Sequence, residues 1–273
     1  MSKIWFRNED CFKTIEAMER SNYKVDLVMT SPPYNTNKKA GKTRTLNTTS
    51  VKEGQYNYVR YDSFIDNFDE VGGYVNWSRN LFINMEKILN KNGVILYNMS
   101  YGSENTTDMF LVVADIIQNT NLTIQDCIVW KKSNALPNTC SSNKLTRIVE
   151  YVFVFCRKGE EKTFNSNKKV VSTRESGQKM YENIYNFIEA KNNDGSNNLN
   201  KATYSTDLCK KLLSIYAKEG STVYDPFMGT GTTAIACEEL GFNCVGSELS
   251  DAQVEYSKNR LEEFRQKRNN IED

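Results

Sequence analysis

The chain has 273 residues, 39% hydrophobic and 25% charged, which gives a soluble protein one large core or a core with an insert. Its 35 Lys and Arg against 34 Asp and Glu leave a net charge of +1, excluding a global basic field; a nucleic-acid partner must be read from local patches. It has no His, which excludes Ser-His-Asp and Cys-His chemistry, and its seven Cys form no Cys-x-x-Cys pair, so neither a disulfide framework, a zinc ribbon nor any other metal site is expected.

Met1 to Asp10 is mixed and charged, with no apolar signal-peptide region behind it. The most apolar windows, Met109 to Ile117 and Tyr151 to Cys156, are too short to span a bilayer, so a cytoplasmic protein is expected. Cys11 to Arg20 predicts a helix and Val25 to Thr30 a buried strand, stopped by Ser-Pro-Pro. Residues 36 to 60 carry six basic residues and one acid with little apolar content, and read as a loop. Tyr74 to Leu89 has helical apolar spacing; Asn92-Gly93 ends it, and Val94 to Tyr97 follows as a strand. Thr107 to Asn119 predicts a helix, then Leu122 to Trp130 and Val149 to Cys156 strands. Residues 157 to 203 are rich in Lys, Asn, Ser and Gly, and read as an insert. A helix over Asp207 to Ala217, a strand over Thr222 to Tyr224, a helix over Thr232 to Leu240, a strand over Asn243 to Gly246 and a helix over Ala252 to Lys267 complete the chain. This alternation predicts a mainly parallel α/β sheet.

Two stretches carry chemistry. Asp225-Pro226-Phe227-Met228-Gly229-Thr230-Gly231-Thr232-Thr233 leaves a strand and enters a helix, and its glycines let the backbone turn tightly against a ligand. Glu248 ends the next strand, where an acid can accept hydrogen bonds from both hydroxyls of a ribose. This geometry suits any adenosine-containing cofactor. Gly229, Gly231 and Ala234 also fit a dinucleotide pattern, but the unit lies too late in the chain for a dinucleotide domain of the usual order, and a P-loop is excluded because no Lys follows the second Gly. The other stretch, Thr30-Ser31-Pro32-Pro33-Tyr34-Asn35, is a rigid turn with a hydroxyl and an aromatic at its tip.

Together the two resemble the catalytic and S-adenosylmethionine loops of DNA amino-methyltransferases. The order, catalytic loop first, resembles their beta class. The resemblance runs from about Ile4 to Leu261. It implies a doubly wound, mainly parallel, seven-stranded Rossmann-like sheet with circularly permuted motif order. Residues 1–156 would form the catalytic half with a basic loop at 36–73, residues 157–203 a target-recognition insert, and residues 204–273 the cofactor half.

By the same resemblance the cofactor is S-adenosylmethionine. Phe227, Gly229, Gly231 and Thr232 line its pocket, with Thr30; Asp225 holds the methionine end and Glu248 the ribose. Asp10 matches the acid of a Gly-Asp element, although Glu9 stands where the family has Gly. Thr203 and Ser205 approach the methionine carboxylate from Lys201-Ala202-Thr203-Tyr204-Ser205, which lacks the family's His-Pro. Ser31, Pro32, Pro33 and Tyr34 form the catalytic set. An exocyclic amine is a poor nucleophile because its lone pair is delocalised into the ring. The Ser31 hydroxyl and Pro32 carbonyl can bind the amine hydrogens and localise that pair, preorganised by the two prolines. A base inside a duplex must be flipped to reach them, and stacking on Tyr34 is worth about 1–3 kcal/mol. The methyl passes in one displacement, so no Cys nucleophile is needed. Ser31 favours cytosine N4, with adenine N6 as the alternative.

Double-stranded DNA is the expected partner. Lys38, Lys39, Lys42 and Arg44 follow the catalytic turn and interleave with Tyr56, Tyr58 and Tyr61 as in a nucleic-acid clamp. A second basic patch includes Lys168 and Lys169. Lys131, after Trp130, reaches a phosphate in this reading, while Trp130 itself reads better as a core aromatic than as a base contact. Family habit adds a homodimer and a restriction endonuclease as partners. The rival readings are a methyltransferase of RNA or of a protein glutamine amide, and a non-catalytic DNA-binding subunit of the same fold.

Overall fold

Strands and helices alternate in a computed structural model that describes residues 2–34, 71–100, 107–135, 137–139, 142–195 and 203–272. In chain order they are β1 (Ile4–Arg7), α1 (Cys11–Arg20), β2 (Val25–Thr30), α2 (Val71–Ile88), β3 (Leu89–Met99), α3 (Asp108–Asn119), β4 (Leu122–Lys132) and β5 (Val149–Arg157). There follow β6 (Val170–Thr173), β7 (Lys179–Tyr181), β8 (Phe187–Ala190), α4 (Thr206–Tyr216), β9 (Thr222–Asp225), α5 (Thr232–Leu240), β10 (Asn243–Ser247) and α6 (Asp251–Glu272). Eight strands form one sheet in the order β1-β10-β9-β2-β3-β5-β4-β8, and β6 and β7 pair separately. Within the large sheet only β5 runs antiparallel to its neighbours.

Helices cover both faces because the central strands are apolar on both. Leu27 and Met29 of β2 and Val94 and Leu96 of β3 pack with Leu208, Leu212 and Leu213 of α4 and Ala234 of α5. Val28, Ile95 and Tyr97 face the opposite layer, with Ile15 of α1, Phe82 and Met85 of α2, and Ile116 of α3. The alternation along each strand thus assigns successive side chains to two separate cores.

Three features depart from the sequence expectation. The sheet has eight strands rather than seven, because Phe187–Ala190, inside the polar stretch 157–203, pairs in parallel with Val129–Lys132 of β4. β3 starts at Leu89, before Asn92-Gly93, rather than at Val94. Asn92 adopts φ 61° and the register against β2 slips between Val25 and Leu27, so the turn is absorbed as a bulge inside the strand. Asp26 secures it by accepting from the Asn90 side chain at 2.7 Å and from the Thr222 backbone at 2.9 Å. Finally, Ile4–Arg7 is an edge strand that its charged surroundings conceal; Ile4 and Phe6 face the core and Trp5 the solvent.

Among the described residues no helix is long and apolar enough to cross a membrane, and no group of three or more His, Cys, Asp or Glu could hold a metal ion.

Candidate active site

β1, β10, β9 and β2 are parallel neighbours, so their carboxyl ends lie along one edge of the sheet. In such sheets that edge is where ligands bind. The Ser31–Tyr34 turn leaves β2 there and the glycine loop leaves β9 there. Thr30 Oγ1 donates to Asp225 Oδ1 at 3.1 Å, joining the two.

Asp225 is buried, and both its oxygens are occupied. Oδ1 accepts from Thr30 and from the Phe227 backbone at 3.0 Å; Oδ2 accepts from Thr233 Oγ1 at 2.5 Å and Tyr204 Oη at 3.0 Å. Burial pushes its carboxyl up from the ordinary value, while these donors pull it down. Asp225 therefore organises the strand ends and the first turn of α5. Tyr204, which stands where the resembled family has His, supplies a hydroxyl to this cluster and was not among the predicted site residues.

The glycine loop holds a left-handed backbone, with Gly229 at φ 53° and Gly231 at φ 81° as the cap of α5. A Cβ on Gly231 would stand 2.9 Å from that of Ser257, so α6 packs directly on the loop. Glu248 accepts from the Gly229 backbone at 3.0 Å and the Ser250 backbone at 2.9 Å. Burial raises its carboxyl, with those two N–H groups opposing. Each Glu248 oxygen has taken one protein donor and retains acceptor capacity. Leu249 beside it is 51% exposed and Phe227 is half-buried on the loop. Glycine backbone, spare carboxylate acceptors and two apolar faces fit an adenosine-bearing cofactor.

The remaining predicted cofactor residues have local duties. Asp10 caps α1, accepting from the Phe12 backbone at 2.8 Å. Ser205 caps α4, accepting from the Leu208 backbone at 3.3 Å. Thr232 Oγ1 accepts from Arg260 at 3.1 Å. Thr203 lines, with Thr230, Thr232 and Arg260, a polar cavity of about 140 Å³ beside the loop.

At the Ser31–Tyr34 turn, Tyr74 of α2 donates to the Pro33 carbonyl at 2.6 Å. Its ring stacks on Trp77 at 5.8 Å, and Trp77 meets Phe227 at 5.9 Å. Helix α2 thus touches both walls. Ser31 Oγ and Tyr34 Oη lie 2.7 Å apart. Tyr34 Oη also meets Asn98 Nδ2 at 2.8 Å and Glu150 Oε2 at 3.3 Å, and Lys132 Nζ pairs with Glu150 Oε1 at 2.5 Å. Asn98, Glu150 and Lys132 come from β3, β5 and β4. They share one sheet face because Asn98 pairs with Val152 and Trp130 with Glu150, each two residues from the next member. Burial, then the Glu150 charge, push the Tyr34 phenol well above its ordinary range. Burial also pushes up the Cys11, Cys209 and Cys237 thiols, so none of these offers a thiolate nucleophile.

Of the predicted DNA contacts, Lys38, Lys39, Lys42 and Arg44 lie outside the described residues. Lys131 pairs with Glu189 at 3.1 Å on the sheet edge, and Lys168 and Lys169 are exposed beside the β6–β7 hairpin. Trp130 is buried and donates to the Ala190 carbonyl at 3.2 Å, a core residue. Asn98, Tyr74 and Trp77 carried no local sequence signal.

A family model described as DNA methylase matches residues 25–259. Type II methyltransferase M.HinfI of Haemophilus influenzae is 24% identical over 283 residues, covering 96% of this chain and 69% of its own. Other curated relatives match over 50%, 48% and 44% of their own lengths. Among solved structures, the PvuII DNA methyltransferase (cytosine-N4-specific) superposes with a TM-score of 0.67 at 16% identity, covering 96% of this chain and 87% of its own. The M1.HpyAVI–SAM complex gives 0.63 at 20% identity, covering 94% and 98%.

Proposed function

The chain belongs to the DNA methylase family whose model spans residues 25–259, and on that premise we propose that it methylates an exocyclic base amine in double-stranded DNA at a short sequence, cytosine N4 in preference to adenine N6. The observation that carries this reading is the junction of the Ser31–Tyr34 turn and the glycine loop at the same end of adjacent strands, through Thr30 and Asp225. Bound S-adenosylmethionine supplies an electrophilic methyl group on a sulfonium. Glu248 holds the ribose hydroxyls, Phe227 and Leu249 enclose the adenine, and the Gly229–Gly231 backbone makes room for the rest. Ser31 Oγ and the Pro32 carbonyl accept the amine hydrogens of a flipped base, and Tyr34 bounds the base site. The buried, neutral thiols and the absence of imidazole accord with direct transfer and no covalent enzyme intermediate.

Ser31 at the head of the turn supports cytosine. Since M.HinfI is named a type II methyltransferase, the chain is read as the modification component of a restriction system. Its contacts to DNA run through the basic positions 38 to 44 and through Lys131, Lys168 and Lys169.

The test is transfer of tritium from labelled S-adenosylmethionine to duplex DNA, RNA and protein in parallel, followed by digestion of the DNA to nucleosides and mass analysis. N4-methylcytosine is the expected product. N6-methyladenine would overturn the choice of base, and label in RNA or protein alone would overturn the DNA assignment. Ser31→Ala with Tyr34→Ala is expected to abolish transfer; unchanged methylation by a complex that contains this variant would identify a non-catalytic subunit.

A further inference from the structure

The hydrogen bonds beneath the catalytic turn have a fixed polarity. Glu150 accepts from Lys132 Nζ at Oε1 and lies within 3.3 Å of Tyr34 Oη at Oε2, so Tyr34 donates its single proton to Glu150 Oε2. Asn98 presents Nδ2 to the same carboxylate oxygen at 2.9 Å and to Tyr34 Oη at 2.8 Å. Turned the other way, its carbonyl would face a carboxylate. With its own proton committed, Tyr34 Oη is an acceptor towards Ser31, so Ser31 must donate across the 2.7 Å contact. Ser31 is left with its lone pairs as acceptors.

We infer that Ser31, Tyr34 and Glu150 form a proton relay that carries the excess proton of the methylated amine to the Glu150 carboxylate. This rests on the amine-methyltransferase reading above. As the nitrogen gains its methyl group it holds one proton too many. The N–H bond breaks, its electron pair returns to nitrogen, and the proton passes to Ser31 Oγ. The Ser31 proton moves to Tyr34 Oη and the Tyr34 proton to Glu150 Oε2, leaving both hydroxyls neutral and Glu150 protonated. No oxidant or further reactant is needed. Lys132 and Asn98 hold Glu150 in place as positioning residues. The high phenol pKa keeps Tyr34 protonated, as a relay member must be. Glu150 is 8% exposed, so bulk water has little direct access to this end of the chain of bonds.

The experiment uses the full chain with duplex DNA. Wild type must first yield a methylated nucleoside; if it does not, the amine-methyltransferase reading fails and the relay with it. Given product, Glu150→Gln and Tyr34→Phe are each expected to lower the single-turnover rate about 100-fold, the scale of positioned proton transfer, with S-adenosylmethionine affinity unchanged by calorimetry. The double variant is expected to lose no more than either single one. A solvent deuterium isotope effect on the wild-type single-turnover rate is expected to disappear in Glu150→Gln. In cofactor-free protein, the two substitutions are expected to shift the urea midpoint non-additively. A wild-type rate in Tyr34→Phe, additive losses, or an isotope effect retained in Glu150→Gln would overturn the relay. Should Glu150→Gln fail to fold, the Tyr34→Phe rate and isotope effect decide alone.

Discussion

The hydroxyl of Thr30 and the carboxylate of Asp225 meet at 3.1 Å across 195 residues of sequence. They terminate neighbouring parallel strands, so this one bond ties the Ser31–Tyr34 turn to the glycine loop. Thr30→Val keeps the shape and removes the donor. Hydrogen bonds to charged groups are worth about 1.5–3 kcal/mol, and the unfolding free energy should fall by that amount. Urea denaturation measures it, and calorimetry should show weakened S-adenosylmethionine binding.

Asp225 also makes stability depend on pH. Its carboxyl is raised above the ordinary 3.8 by burial. A group held above its unfolded value binds its proton more tightly when folded. Its stabilising contribution is whole below 3.8 and is lost as pH rises through the elevated folded value. Asp225→Asn does not titrate. The unfolding free energy of wild type minus that of Asp225→Asn should therefore decline as pH rises through this window and stay level above it. Urea unfolding at a series of pH values checks this; a difference that grows with pH would contradict it.

Gly231→Ala should weaken both fold and cofactor binding. The left-handed backbone alone costs a non-glycine residue about 1–2 kcal/mol, and the new methyl would press on Ser257. A wild-type urea midpoint and cofactor affinity would show that the loop does not hold this conformation.

Tyr74→Phe separates positioning from binding. It frees the Pro33 carbonyl while keeping the ring against Trp77. Loss of about 1.4 kcal/mol of preorganisation corresponds to an approximately tenfold slower single turnover. Cofactor affinity should not change, because Phe227 keeps its neighbour.

The two chemical loops were legible in the sequence because each is written locally. Ser-Pro-Pro can only end β2, and Gly231 and Gly241, both with positive φ, bracket α5 at the predicted bounds. Segments whose partners are distant were not legible. Phe187–Ala190 is a strand only because β4 offers an edge, and its alternating burial is too short to stand out from polar surroundings. The Asn98–Glu150–Lys132 cluster depends on cross-strand register between β3, β5 and β4, which no spacing in one segment encodes. Tyr204 shows a further limit: with the His-Pro missing from its segment, nothing in the sequence marked the hydroxyl that it donates to Asp225.

Trp77 stands between Tyr74, beside the Ser31–Tyr34 turn, and Phe227 on the glycine loop. The chain's other two indoles sit elsewhere, Trp130 sealed in the interior and Trp5 at the sheet margin against Tyr23. Nature has therefore left an intrinsic optical gauge in the cleft. Emission from this single ring should respond when the nucleoside end of the donor enters, against a constant background from the other two, so that occupancy can be followed in real time without any attached dye.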